Sequence, residues 1–323
     1  MKHVSILVVK DAILSSLDAP KQLFTKVNEF LVHMGRDPGF QVQLVGITKK
    51  TMINDNTYIV QCDELMKNIK YTDLIIIPML CGDFHHAVKA NKAFVPWIIS
   101  QHANNNAEIA SLCSGSFVLA STGLLDGKKC AIHWGAAGDF KKMFPSVKTI
   151  SDKVINYESG IYTSGGYYSY LNLLLCLIEK YTGREMSVFV SKMFEIQIER
   201  KSQAPFTIFA GQKNHDDEPI KLVQEFIENN FQDKITIDQL TAMACLSRRN
   251  FERRFKKATS NTAIEYTQRV KMEAVKKGLE TGRKTIVDLM YDVGYSDMKT
   301  FRSTFRKITG LSPLEYRKRY SYN

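Results

Sequence analysis

Along the first half of the chain, short blocks of mostly apolar residues alternate with stretches whose apolar positions recur every three or four residues. VSILVV (4–9), VQLVGI (42–47), DLIIIP (73–78) and EIASLC (108–113) are blocks of the first kind. Runs of that length and composition suit strands covered on both faces of a sheet. Helical spacing is expected at about 20–33, 62–69 and 86–102, and again in SGSFVLAST after the fourth run. The rhythm predicts a parallel sheet in a doubly wound α/β domain. VKTI, VINY and IYTS add short strands around an ESG turn. The stretches 167–181 and 186–199 carry the i, i+3, i+4 pattern of two longer helices.

After Pro205 the periodicity stops, and TIFAGQKNHDDEP reads as a linker rich in turn-forming residues. Beyond it the pattern is wholly helical and repeats. Asp238, Phe251, Phe255, Lys257, Thr259, Glu265, Tyr266 and Arg269 recur 50 residues later as Asp288, Phe301, Phe305, Lys307, Thr309, Glu315, Tyr316 and Arg319. Two copies of one helical unit follow. The expected organisation is an α/β domain over 1–204, a linker over 205–217 and an all-α domain over 218–323, with its paired units at about 236–258 and 285–308.

Each unit has the same grammar: an amphipathic helix (IDQLTAMA, IVDLMYDV), a tight turn (CLS, or one opening on Gly294), and a second helix with a basic outer face. Ser247, and Ser296 or Asp297, are candidate N-caps for the second helices, and Gly310 a stop signal. This is the helix-turn-helix pattern. The paired phenylalanines, one turn apart, mark the core face. Arg248, Arg249, Glu252, Arg253 and Lys256 are left outward on the first helix, and Met298, Lys299, Arg302, Ser303 and Arg306 on the second. Long cationic side chains near a helix N-terminus can read guanine edges in the major groove, while those toward helix ends grip phosphate. A solvated basic face is the plainer reading of RRNFERRFKK alone; duplication of the whole grammar argues for double-stranded DNA.

Charge supports that placement. Residues 218–323 hold 21 Lys and Arg against 13 Asp and Glu, whereas the first 217 hold 23 against 20, so most of the net +11 lies in the last third. Six cysteines without a CxxC give no zinc knuckle and no disulfide framework. Cys81, His85 and His86 form no recognised metal site, and Trp97 and Trp134 read as packing residues. No apolar run approaches the ~18 residues needed to cross a bilayer, and the first residues do not read as a secretory signal. A cytoplasmic protein is expected, associated with the nucleoid when on DNA, with no cofactor and no membrane partner.

GYSDMKTFRSTFRKITGLSPLEYRKRY, preceded by LSRRNFERRFKKAT, resembles the AraC/XylS family of transcription regulators, known for a C-terminal tandem helix-turn-helix domain. The resemblance implies base contacts by Arg249, Glu252 and Arg253 in the first reading helix and by Lys299, Arg302 and Ser303 in the second. Glu252 fits least well, since a carboxylate repels phosphate and pairs only with cytosine N4; holding Arg248 or Lys256 is its other reading. Dimerisation through the first domain and contact with RNA polymerase are further implications.

IASLCSGSF (109–117) places Cys113 between a strand and a helix among small residues, the layout of a nucleophile elbow. Such a position over a helix N-terminus favours thiolate. ASLCSGSFVLASTGLLDGKKCAIHW, YTSGGYYSYLNLLLCLIEKYTGRE and IERKSQAPF are similar to the PfpI-like branch of the class I glutamine amidotransferase-like superfamily, as fused to AraC-type domains in GlxA-type regulators. That resemblance implies a flavodoxin-like fold and a ligand pocket formed by Cys113, His133 and Trp134, with GGYYSY as core or pocket wall. Three departures count against catalysis: MLCGD stands where active relatives carry Gly-Gly, Ser16 or Asp18 where they carry a carboxylate, and Asn172 where they carry Asp. The resulting expectation is a DNA-binding regulator with a non-catalytic sensor for an unknown small molecule or oxidant. The rival readings are a cysteine-dependent hydrolase or amidase fused to a DNA-targeting module, and a scaffold with a ligand-free dimerising domain.

Overall fold

The computed structural model of the protein describes residues 1–198, 202–213 and 215–322. Glu199, Arg200 and Lys201 of the IERKSQAPF motif, Asn214 of the expected linker, and Asn323 lie outside the described residues. The chain divides into two compact units, Met1–Gln203 and Ala204–Asn323.

In the first unit the chain runs through β1 (Lys2–Leu7), α1 (Ser15–His33), β2 (Phe40–Gly46), β3 (Lys50–Ile53), β4 (Tyr58–Gln61), β5 (Glu64–Leu65) and β6 (Leu74–Ile77). It continues through α2 (Phe84–Ala90), α3 (Val95–Asn105), β7 (Glu108–Ser111), α4 (Ser116–Ala120), β8 (Lys129–Ala131), α5 (Ala137–Met143), β9 (Lys148–Ile150), β10 (Ile155–Glu158) and β11 (Ile161–Ser164). Helices α6 (Tyr170–Thr182) and α7 (Arg184–Met193) complete the unit. Seven strands form one sheet in the order β10-β11-β7-β6-β1-β2-β5. All neighbours are parallel except the β10/β11 hairpin. Residues 4–7 and all of β6 are buried because helices cover both faces of the sheet, which is why those runs are continuously apolar.

Three helix expectations are corrected. The 62–69 segment is not a helix: Glu64–Leu65 pairs with β2, and only the 3-10 turn Met66–Asn68 follows. Its apolar residues are too few to make a helical stripe. The 86–102 helix is two, parted at the buried Asn91, whose amide holds Lys10 N and O, and reopened by Pro96, which suits a helix start and cannot continue one. The 186–199 helix ends at Met193, and Glu195 is left-handed (φ 52°). The β3/β4 hairpin, β8 and α5 were not anticipated; VKTI is strand β9, as expected, but it pairs with β8 and not with the hairpin around the ESG turn.

The second unit contains α8 (Glu218–Asn230), α9 (Ile237–Met243), α10 (Arg248–Thr259), α11 (Ala263–Thr281), α12 (Ile286–Asp292), α13 (Met298–Thr309) and α14 (Pro313–Tyr320). It has two cores. Phe251, Phe255 and Tyr266 anchor one; Phe301, Phe305 and Tyr316 anchor the other. Helix α11 serves both, giving its first turn to one and Met272, Val275 and Leu279 to the other. The halves match in detail: Tyr266 donates to Glu228 and Tyr316 to Glu280, and Thr259 and Thr309 each cap their helix through the carbonyl four residues back. One identity was misaligned. Thr236 and Thr285 are the equivalent N-caps, so Asp288, the capping-box partner of Thr285, matches Gln239 and not Asp238. The second turn is one residue longer and opens on Gly294 (φ 71°), where the first uses Cys245 (φ 52°).

The expected linker is not free. Phe209 packs on the first helical core, its N–H donates to Glu273 (3.1 Å), and Gln212 O accepts from Gln224 (3.2 Å). Isolated anchoring residues leave no periodicity to read.

Candidate functional sites: a closed thiol elbow and paired cationic helices

Cys113 follows β7 in a left-handed conformation (φ 48°), which costs an L-residue about 1–3 kcal/mol and persists only where packing enforces it. The enforcement is visible. Ser111 and Ser116 share a hydrogen bond (2.7 Å) beneath the turn. Ser114 Oγ both donates to Leu80 O and accepts from Leu80 N, at 2.9 Å each. Gly115 fits because a Cβ there would stand 2.5 Å from Pro78 O.

The thiol itself is 4% exposed. Burial pushes it up to about 11, against weaker hydrogen bonds from Ser114. It is therefore a neutral thiol at physiological pH, contrary to the thiolate that a helix N-terminus favours; desolvation outweighs the dipole. The surrounding amides are already used: Met79 N donates to Ser16 Oγ (3.0 Å), Leu80 N to Ser114 Oγ, Cys81 N to Asp11 O (2.8 Å) and Cys113 N to Ser164 Oγ (3.2 Å).

Among the described residues no hydrogen bond joins Cys113 to His133. Ala131 N donates to Thr163 Oγ1 (2.8 Å), so the strand leading to His133 lies beside the end of β11, next to Ser164. His133 Nδ1 accepts from Gly135 N (3.0 Å), its ring stacks on Trp134 at 5.0 Å, and burial lowers its pKa. Ser16 is the buried residue of the α1 N-terminus; Asp18 faces solvent and binds Gln22 (2.6 Å). Asn172 donates to Gln197 O (2.6 Å).

GGYYSY separates by residue. Tyr170 is core, with its hydroxyl on Ser15 O (3.1 Å), while Tyr167 and Tyr168 point outward. Tyr167, which the sequence reading did not single out, interacts electrostatically with both Cys113 and Cys81, although burial is the larger cause of its raised pKa. Two surface cavities of about 430 and 540 Å³ are lined by other residues; Cys113 is buried, and His133 and Trp134 are half-buried. His85 and His86 are exposed at the α2 N-terminus over Asp83, and no group of three metal-ligating side chains exists among the described residues.

In the helical unit, Arg248, Arg249, Glu252, Arg253 and Lys256 are all exposed along α10. Glu252 holds Arg248 (Nε–Oε1 3.2 Å), and Arg253 donates to Asn250 (2.8 Å). On α13, Lys299, Arg302, Ser303 and Arg306 are exposed. Lys299 and Arg302 make no side-chain hydrogen bond or ion pair among the described residues. Met298 departs from this set: it is half-buried against the second core. Asp297 caps α13 through Thr300 N (2.6 Å), whereas Ser247 makes no side-chain cap bond to α10. Arg254, beside Arg253 on the same helix, is engaged by Asp217 through two bonds (2.9 and 2.7 Å). No helix among the described residues is long and apolar enough to cross a membrane.

Comparison with known proteins agrees with both units. Residues 6–180 match the profile of the DJ-1/PfpI family, and residues 240–319 that of a helix-turn-helix domain. The HTH-type transcriptional regulator ArgR of Pseudomonas aeruginosa is 28% identical over 221 residues, covering 68% of this chain and 67% of the relative. The HTH-type transcriptional regulator GlxA of Rhizobium meliloti is 24% identical over 212 residues, 65% of each chain. A crystal structure of a candidate transcriptional regulator protein from Vibrio parahaemolyticus shares the fold, with TM-score 0.53 and 22% identity over 59% of this chain and 98% of that one. With a DJ-1/PfpI domain occupying more than half its length and an AraC-type helix-turn-helix domain behind it, the chain belongs to the DJ-1/PfpI family, in the arrangement of the GlxA-type regulators.

Proposed function

We propose that the protein is a sequence-specific DNA-binding transcription regulator whose DJ-1/PfpI domain senses a small molecule without turning it over. The observation that carries the reading is the duplicated unit with two outward cationic helices, α10 and α13, each seated on its own aromatic core. Arg249, Arg253, Lys299, Arg302 and Ser303 read bases in two successive major-groove segments; Arg248, Lys256 and Arg306 grip phosphate. Glu252 orients Arg248 rather than reading a base, and Met298 supports α13 from its inner side.

The sensor site is the Cys113 elbow with His133, Trp134 and Tyr167. Its closed state makes ligand entry a population shift: an effector acts by preferring an opened elbow. The protein works as a homodimer in the bacterial cytoplasm, bound to the nucleoid, and contacts RNA polymerase at its promoters.

The left-handed elbow favours a second reading, a cysteine-dependent hydrolase. Against it stand the protonated thiol, the absence of an acid bonded to Cys113 among the described residues, and amides committed to Ser16, Ser114 and Ser164; losing one oxyanion donor alone costs roughly 100-fold.

The test is selection of a binding duplex from a randomised library by the full chain, followed by titration of Arg253→Ala and Arg302→Ala. Each substitution weakens binding to the selected duplex by ~1–3 kcal/mol and leaves non-specific binding nearly unchanged. Equal losses on selected and scrambled duplexes would remove both from the base-reading set.

A further inference from the structure

The segment 204–217 crosses the whole helical unit. At its start, Pro205 lies against Gly310, the left-handed residue ending α13, and the Phe206 ring meets Tyr320 of α14 edge-on (6.3 Å). In the middle, Thr207 O accepts from Lys276 Nζ (2.5 Å), which also pairs with Glu273 (2.6 Å), and the same Glu273 accepts from Phe209 N. The Phe209 ring then meets Tyr266 of the first half edge-on (5.1 Å). At its end, Asp217 grips Arg254 of α10.

Lys276 makes this more than incidental packing. Its side chain is 5% exposed, and a buried ammonium is tolerated only with its charge and donors satisfied. One of its two partners is the backbone of the crossing segment. The crossing is thus held in one register, by one aromatic anchor on each half and one ionic pin on the helix they share. The two halves have separate cores bridged by α11 and, at the C-cap of α8, by Phe231, so the crossing segment is a further tie that restricts how they rotate about α11.

We propose that 204–217 is a positioning strap that sets the separation and pitch of α10 and α13, with Phe206, Phe209, Lys276 and the Asp217–Arg254 pair as its fixing points. The inference rests on the reading that both helices contact DNA. A strap of this kind determines which spacing between two half-boxes the protein accepts, because each inserted base pair displaces the second box by ~3.4 Å and turns it by ~35°.

The experiment uses the full chain and the duplex it selects from the library, together with derivatives carrying one or two base pairs inserted between the two protected segments. Wild type is expected to discriminate against the two-base-pair insertion by roughly 30-fold or more, well within the usual gap between specific and non-specific affinity. Lys276→Met and Phe209→Ala shrink that ratio at least fivefold, while Phe209→Leu restores most of it. Asp217→Asn, at the strap's solvent-accessible end, provides the same readout should the inner variants fail to fold. A structural contribution alone lowers affinity for every spacing in proportion; an unchanged ratio in folded Lys276→Met or Asp217→Asn overturns the proposal. An indifferent wild type overturns it too. Failure of wild type to enrich any sequence is a different result, which defeats the DNA-reading function itself before any variant is made.

Discussion

Replacing Gly115 by alanine probes the elbow where it is tightest. A Cβ at this position would lie 2.5 Å from Pro78 O and 2.7 Å from Ile77 O, about 1 Å inside comfortable carbon contact. Neither neighbour is a flexible side chain. Ile77 closes the buried strand β6, and its carbonyl accepts from Leu112 N (2.9 Å), so moving it away also loosens that bond. Overpacking costs ~1–3 kcal/mol and a weakened buried hydrogen bond about 1 kcal/mol more; a loss of about 3 kcal/mol follows. Gly138 in α5 is the internal control. A Cβ there meets nothing within 4 Å, and Gly138→Ala should gain up to ~1 kcal/mol from helix propensity. Both tryptophans, Trp97 and Trp134, lie in the α/β unit. Urea unfolding followed by tryptophan fluorescence therefore reports that unit alone. With a slope of roughly 2–3 kcal/mol per molar urea, Gly115→Ala lowers the midpoint by about 1 M. A shift below ~0.5 kcal/mol, or a larger loss for Gly138→Ala than for Gly115→Ala, would refute the packing described for the elbow.

Three further outcomes are expected. Burial raises both the Cys113 and Cys130 thiols to about 11, so the folded state holds their protons more tightly than the unfolded chain. Their contribution to stability is complete below about pH 9 and is lost as pH climbs toward 11, a fall that pH-dependent unfolding of the α/β unit measures. For the same reason iodoacetamide should label the exposed Cys245 well before Cys113 at pH 7.5, with Cys113 labelled appreciably only in strong alkali; rapid labelling of Cys113 at neutral pH, found by peptide mass mapping, would favour the hydrolase reading instead. In the helical unit, Asp297→Ala should cost about 1 kcal/mol through the lost cap on Thr300 N, whereas Ser247→Ala should be near neutral. Far-UV circular dichroism resolves this, because the unit contains no tryptophan and its unfolding is invisible to fluorescence.

Local patterns determined a good deal of this protein. The buried strands β1, β6 and β7, the paired phenylalanines of α10 and α13, and the left-handed Gly294 and Gly310 were legible because each depends on near neighbours: an apolar run, a one-turn spacing, a residue without Cβ. The elbow around Cys113 was legible in outline for the same reason. What the tertiary fold decided was how polar groups from distant segments are spent. Ser16 on Met79 N, Ser114 on Leu80 and Ser164 on Cys113 N bring together residues 34 to 63 positions apart, and they occupy the amides around the buried Cys113. Arg254 was not among the residues read as outward, but nothing in the local pattern pointed to Asp217, 37 residues away, as the group that holds it. The described part of 205–217 looked unstructured because its anchors are single residues meeting partners on four different helices, α8, α10, α11 and α14. Periodicity records a residue's relation to a face of its own element; it carries no record of which distant donor or carbonyl that residue will satisfy, and here those long-range pairings set the engaged Arg254 apart from its solvent-facing basic neighbours and fix Phe209 and Gln212 to the helices.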